Sequence, residues 1–183
     1  MGCVMSNKGT TGGWRVIAVT LLLAGLGLMN SAAQAASVQQ QELEVVDAIN
    51  RIRAEHGLQP VTLDPRLQEA ARRHSSDMAV SQCFQHDDCD GAGNWSDRIY
   101  SFYPRPERIA ENIAAGRAGA AATVEAWMRS AVHRANILRP EWRGTGVSLV
   151  SLPGSPYEHY WTQTFGSVPV TSVPVQMAIS SPR

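Results

Sequence analysis

The first apolar run along the chain is Val16 to Leu28, preceded by the basic residues Lys8 and Arg15 and followed by Ser31-Ala32-Ala33-Gln34-Ala35. A basic flank, a short apolar core and an A-x-A exit form the layout of a secretory signal peptide. The core is shorter than the roughly 20 residues that a membrane span needs. Residues 1–35 are therefore expected to be removed before Ala36, leaving a secreted or periplasmic chain. Met1-Gly2-Cys3-Val4-Met5-Ser6 also fits a myristoylation pattern, which a cleaved signal would leave without consequence.

After position 40 the apolar residues take a helical rhythm. Val45, Ile49, Ile52 and His56, with Val46 beside them, predict an amphipathic helix from Gln41 to His56, closed by Gly57. Asp64 as N-cap and Pro65 at the first helical position announce a second helix. Its stripe is Leu67, Ala70, Ala71, His74 and Met78, which puts His74 in the middle of an apolar face. Val124, Trp127, Met128 and Ala131 mark a third helix.

Between the second and third helices the periodicity fails. Residues 81–108 mix turn formers, charges and the aromatics Phe84, Trp95, Tyr100, Phe102 and Tyr103, and are read as a long ordered loop. Gly146-Val147-Ser148-Leu149-Val150 and Tyr160 to Phe165 alternate as strands do, and Pro153-Gly154-Ser155-Pro156 between them predicts an antiparallel hairpin. Residues 167–183, with prolines at 169, 174 and 182, are expected to form an extended tail.

Charge excludes one class of partner. Without Lys8 and Arg15 the mature chain carries 14 basic residues, all Arg, against 16 acidic ones. A near-neutral domain is not a nucleic-acid binder. Cys83 and Cys89 remain after cleavage, and an even count in an exported chain predicts a disulfide. Cys83, His86 and Cys89 also have C-x2-H-x2-C spacing, a zinc alternative that lacks a fourth ligand.

Three residues stand out as candidate chemistry. A buried His74 needs a polar partner, and Glu111, just before the apolar Ile113-Ala114, is the expected one. A close carboxylate would raise the pKa of His74. His133 falls opposite the apolar stripe if the third helix is unbroken, and a break near Ser130 would redirect it. His74, Glu111 and His133 together make a candidate zinc or other divalent-cation site. Ser130 lies three residues before His133, but no G-x-S-x-G elbow or orienting acid completes a serine triad.

These residues also occur in an ordered set. It comprises Asn50-x-x-Arg53-x-x-x-Gly57-Leu58, Leu63-Asp64, Leu67-x-x-x-Ala71-x-x-His74-x-x-x-Met78, His86 and Asp97-Arg98. It continues through Glu111-Asn112-Ile113-Ala114, Trp127-Met128-x-Ser130-x-x-His133-Arg134-x-Asn136-Ile137-Leu138, Gly146-Val147 and Tyr160-Trp161-Thr162-Gln163-x-Phe165-Gly166. The set resembles the CAP superfamily of cysteine-rich secretory, antigen 5 and pathogenesis-related proteins, closest to its bacterial, SCP-like branch. It covers residues 43–166, with 36–42 as a short preceding segment.

The resemblance implies an α+β fold, an α-β-α sandwich with a small antiparallel sheet between helices and a cleft at one end. In the family's eukaryotic members that cleft holds two His and two Glu. By the resemblance His74 matches the first His and Glu111 the first Glu, while Ser130 and Tyr160 stand where the second Glu and second His would fall. His133 belongs to the bacterial pattern and is the candidate to fill the gap. Trp127, Tyr160, Gln163 and Asn136 are expected around the same cleft.

Three functions compete. The first is an exported module binding a small apolar, lipid or envelope-derived ligand. The second is a metal-assisted or acid-base hydrolase, and the third a structural or host-interacting protein with a vestigial cleft. The absence of a recognisable nucleophile and the halved tetrad favour binding.

Overall fold

The computed structural model describes residues 14–104 and 106–167. The first 13 residues of the expected signal peptide, including the myristoylation pattern, and residues 168–183 of the expected tail lie outside them. The chain divides into two compact units, Met1–Gln39 and Gln40–Arg183. Among the described residues no helix is long and apolar enough to cross a membrane.

The first helix, α1, spans Trp14–Glu55 rather than starting at Gln41. The segment from Asn30 to Glu44, rich in Ala, Gln and Glu and free of Gly and Pro, offers nothing to interrupt a helix. Val45, Val46 and Ile49 are buried as their spacing requires. His56 is exposed beyond the helix end, and Arg53 is buried in its place. The Arg53 guanidinium donates to the carbonyls of Gln59, Ile137 and Arg139 at 2.9, 2.7 and 2.9 Å, so a cation occupies a position the apolar rhythm gave to His56. Gly57 takes φ +70°, and Leu58 N–H reaches back to the Arg53 carbonyl.

A two-residue strand β1 (Thr62–Leu63) leads into α2 (Pro65–Ser81), whose N-cap Asp64 accepts from Arg66 N–H. All five expected stripe residues of α2 are buried. The stretch read as loop contains a further helix, α3 (Trp95–Phe102). Its start is set by Asn94, which accepts from Asp97 N–H and donates to the Asp97 carboxylate, a variant of the reciprocal capping box. At eight residues it is too short for its periodicity to show. Then come β2 (Ile109–Ala115), α4 (Ala120–Arg129), α5 (Ala131–Ile137), β3 (Gly144–Ser151) and β4 (His159–Gly166).

The third predicted helix is thus two, broken at Ser130 (φ −88°, ψ 122°). No proline or glycine breaks it; tertiary bonds hold α5 in its own direction. Asn136 donates to the Glu111 carbonyl at 3.2 Å and to Asn112 Oδ1 at 2.9 Å, and Asn112 donates to the His133 carbonyl at 3.4 Å. Ala131 is consequently exposed rather than on the apolar face.

The four strands form one sheet in the order β1-β3-β4-β2. The expected hairpin is present as β3 and β4, with Val147 opposite Gln163, and β2 pairs antiparallel with β4 so that Glu111 faces Thr164. Only the short β1 pairs parallel, with β3. Alternation divides the faces. Thr162 and Thr164 turn to α2, bonded to Ser75 Oγ and the Leu67 carbonyl. Asn112 and Gln163 turn to the α5 side, 3.3 Å apart. Helix α2 crosses closest at Gly146, where a Cβ would meet the Leu67 carbonyl carbon at 2.2 Å. Helices on both faces of this sheet make the α+β sandwich that the sequence predicts.

Candidate functional site

Strand β2, at the edge of the sheet, holds Glu111 opposite Thr164 and turns its carboxylate toward Arg98 of α3 and the His86 loop. The side chain is buried, and both oxygens are taken. Oε2 accepts from Arg98 Nη2 at 2.8 Å, and Oε1 pairs with His86 Nδ1 at 2.9 Å. A carboxylate can only accept, so Nδ1 carries the proton and Nε2 of neutral His86 keeps its lone pair.

Arg98 organises this centre. Buried on α3, it donates to Glu111, to the His86 carbonyl at 2.9 Å and to the Asp88 carboxylate. It thereby joins α3, β2 and the loop between Cys83 and Cys89. Those two cysteines form the predicted disulfide. The loop is also held by Asp77, whose Oδ2 accepts from Cys89 N–H at 2.8 Å.

The expected bond between His74 and Glu111 is not made. His74 Nε2 lies 4.0 Å from Glu111 Oε1 and donates instead to the Gln85 carbonyl at 2.9 Å. The imidazole that reaches Glu111 is His86, which the family resemblance alone did not assign to the tetrad. The expected upward shift of the His74 pKa is also reversed. Burial pushes it below 6.5, and the opposing attraction of Glu111 is the smaller effect. His133 on α5 is lowered too, by burial and then by the nearby His86.

A cleft of about 240 Å³ opens at this point, lined by His86, Trp95, Ile109, Ala110, Glu111 and Asn136. The lining combines the polar side chains of His86, Glu111 and Asn136 with the apolar surfaces of Trp95, Ile109 and Ala110. Of the residues proposed from sequence, Glu111 and Asn136 line the cleft, and His133 lies near its His86 edge. Ser130 is half-buried at the α4–α5 break. Trp127, Tyr160 and Gln163 are core residues. Trp127 Nε1 donates to the Ile113 carbonyl at 3.0 Å, Tyr160 packs edge-on to Tyr157, and Gln163 bonds Asn112.

The metal set His74, Glu111 and His133 is not assembled as proposed. The group whose ligand atoms converge among the described residues is His74, Asp77 and Asp88, all within 4.8 Å of one another. Glu111 is a poor cation ligand here, because both its oxygens are already taken, one by the Arg98 guanidinium and the other by the His86 ring. No step at the cleft is therefore routed through a metal.

Arg98, His86 and Trp95 were absent from the sequence-derived site. Asp97-Arg98 and His86 did stand in the family pattern, but nothing in their spacing linked them to Glu111. That link needs α3, whose eight residues show no helical period in the sequence.

Comparison with known proteins agrees with this architecture. An uncharacterized protein, YkwD, of Bacillus subtilis is 37% identical over 129 residues, covering 70% of this chain and 48% of the relative. A second, the uncharacterized membrane protein YlbC of the same organism, is 31% identical over 124 residues, covering 68% and 34%. The chain thus spans about half the length, or less, of these curated relatives. Among solved structures, an extracellular protein containing a SCP domain from Bacillus anthracis superposes with TM-score 0.63 at 28% identity, over 71% of this chain and 41% of that one. An outer surface protein of Borrelia burgdorferi shares the fold at 16% identity, with TM-score 0.64, covering 70% and 93%. Residues 46–165 match the cysteine-rich secretory protein family, CAP, and the chain belongs to that family.

Proposed function

We propose that this is an exported CAP domain, released by cleavage before Ala36, whose cleft binds the polar head of a small apolar or envelope-derived ligand. The observation that carries the reading is the fixed carboxylate of Glu111, held by Arg98 and His86 beside an open cleft with Trp95 and Ile109 as its apolar wall. Ligand pockets commonly combine apolar walls with a few positioned polar groups. A volume of about 240 Å³ is below the ~300–1,000 Å³ of sites that enclose a drug-sized molecule. The cleft therefore takes a head group and leaves the rest of the ligand outside.

A specific observation also supports hydrolysis as a second reading. His86 donates through Nδ1 to a buried carboxylate and keeps Nε2 free on a half-exposed ring, the arrangement of a general base. Binding is preferred because no Ser, Cys, Thr or Lys among the described residues lines the cleft to serve as nucleophile.

The test uses residues 36–183, expressed by export, in calorimetric titrations against lysophospholipid, fatty acid and muropeptide fragments. Peptidase and esterase assays run in parallel. Saturable binding that His86→Ala weakens about tenfold or more supports the proposal, since a hydrogen bond to a charged group is worth about 1.5–3 kcal/mol. Turnover abolished by His86→Ala replaces it with the hydrolase. Neither binding nor turnover replaces it with a vestigial cleft.

A further inference from the structure

A second cluster of polar side chains shares none of the residues that line the cleft. His74 and Asp77 sit one turn apart on α2, and Asp88 comes to them from the disulfide loop. One ring nitrogen of His74 and one carboxylate oxygen from each Asp lie within 4.8 Å of one another. That spacing suits three ligands around a single ion.

Two further observations point to a cation. His74 is fully buried, yet its Nδ1 has no hydrogen-bond partner. Because Nε2 donates to the Gln85 carbonyl, Nδ1 bears the lone pair and is the nitrogen available to a metal. A buried acceptor left unpaired costs free energy that some ligand should recover. The second observation concerns charge. Asp88 and Glu111 share the one guanidinium of Arg98, while Asp77 has no salt-bridge partner among the described residues. Asp77 accepts only from Cys89 N–H and Ser81 Oγ, and a carboxylate offers roughly four lone-pair sites. A divalent ion would balance the three carboxylates against Arg98.

We propose that His74, Asp77 and Asp88 form a binding site for a divalent transition-metal cation of the zinc class. One imidazole and two carboxylates make a borderline donor set, which suits zinc; an imidazole ligand disfavours magnesium and calcium. The ligands are already oriented, since the Gln85 carbonyl fixes the imidazole and Arg98 the Asp88 carboxylate. The ion would pin the loop that presents His86 onto α2, so its role is to fix one wall of the cleft rather than to act in it.

The experiment is zinc titration of the disulfide-bonded mature chain, by calorimetry and by the zinc-dependent rise in melting temperature, with magnesium as comparator. Wild type should bind one zinc and ignore magnesium. Asp88→Asn and Asp77→Asn keep a hydrogen-bond acceptor, and each should weaken zinc binding by about tenfold or more. His133→Ala should bind as wild type does. His74→Phe should lose zinc while remaining folded, because it replaces one buried ring with another. Absence of zinc binding overturns the proposal. So does binding that survives both Asp variants, or binding that His133→Ala removes, which would put the ion at the cleft.

Discussion

Replacing Arg98 by methionine removes the one guanidinium that, among the described residues, touches the buried Glu111 carboxylate, and leaves that carboxylate its bond to the His86 ring. Methionine keeps most of the side chain's length, so packing within α3 changes little and the effect isolates charge. Breaking a buried ion pair by deleting one partner costs about 3–5 kcal/mol. Glu111 keeps its bond to His86, and Asp88, with 17% of its side chain exposed, can recover water. These two remainders place the expected loss at the low end, about 3 kcal/mol. Urea unfolding followed by tryptophan fluorescence gives the measurement, and at ordinary slopes of about 1–3 kcal/mol/M the midpoint should fall by roughly 1–3 M. The charge-free double variant Arg98→Met/Glu111→Leu should regain at least about 1 kcal/mol over the single one, since no carboxylate is then stranded. A loss below about 1 kcal/mol for Arg98→Met, or a double variant no better than the single, would refute the view that Arg98 holds Glu111 against the cost of burial.

Other outcomes follow from single contacts. His74 and His133 are both held below 6.5 by burial, so below that value the unfolded chain binds protons that the folded chain refuses. Stability should therefore fall as pH drops from 7 toward 5, and His74→Phe should flatten the slope in denaturation curves taken across that range. Gly146→Ala places a methyl about 2 Å from the α2 backbone at Leu67 and Gln68. The variant should fail to accumulate as folded protein on export, as read by protease resistance. Glu42→Ala strips the acceptor from Leu149 N–H, 2.9 Å away on the open side of β3. It should cost about 1–3 kcal/mol, and Glu42→Gln less, by the same urea titration.

Elements whose residues repeat a period over several turns or pairs were legible in the sequence. The α2 stripe from Leu67 to Met78 and the alternation in β3 and β4 are of this kind, because burial on one face is what the period records. The site was less legible for a physical reason. Glu111 meets His86 across 25 positions and Arg98 across 13. Such contacts follow from where the sheet and α3 place them, not from any local pattern. His74 drew attention because it interrupts an apolar face, yet what that face required was a satisfied Nε2, and a backbone carbonyl supplied it. A break near Ser130 could be named in the sequence but not decided there, since the bonds that impose it come from Asn112 on another element.

The Cys83–Cys89 bond closes a small ring, and three of the contacts that define the cleft issue from inside it. These are the Gln85 carbonyl on His74, the His86 carbonyl on Arg98, and the His86 imidazole on Glu111. Before oxidation the same residues hang on an open segment that must give up more freedom to reach those positions, a penalty of about 2 kcal/mol for so short a loop in the chain-entropy view. Thiol chemistry therefore acts as an assembly checkpoint. A chain kept reduced holds the His86 loop through hydrogen bonds such as those of Asp77 and Arg98, without the covalent tie, so its cleft is less firmly assembled than that of the oxidised molecule.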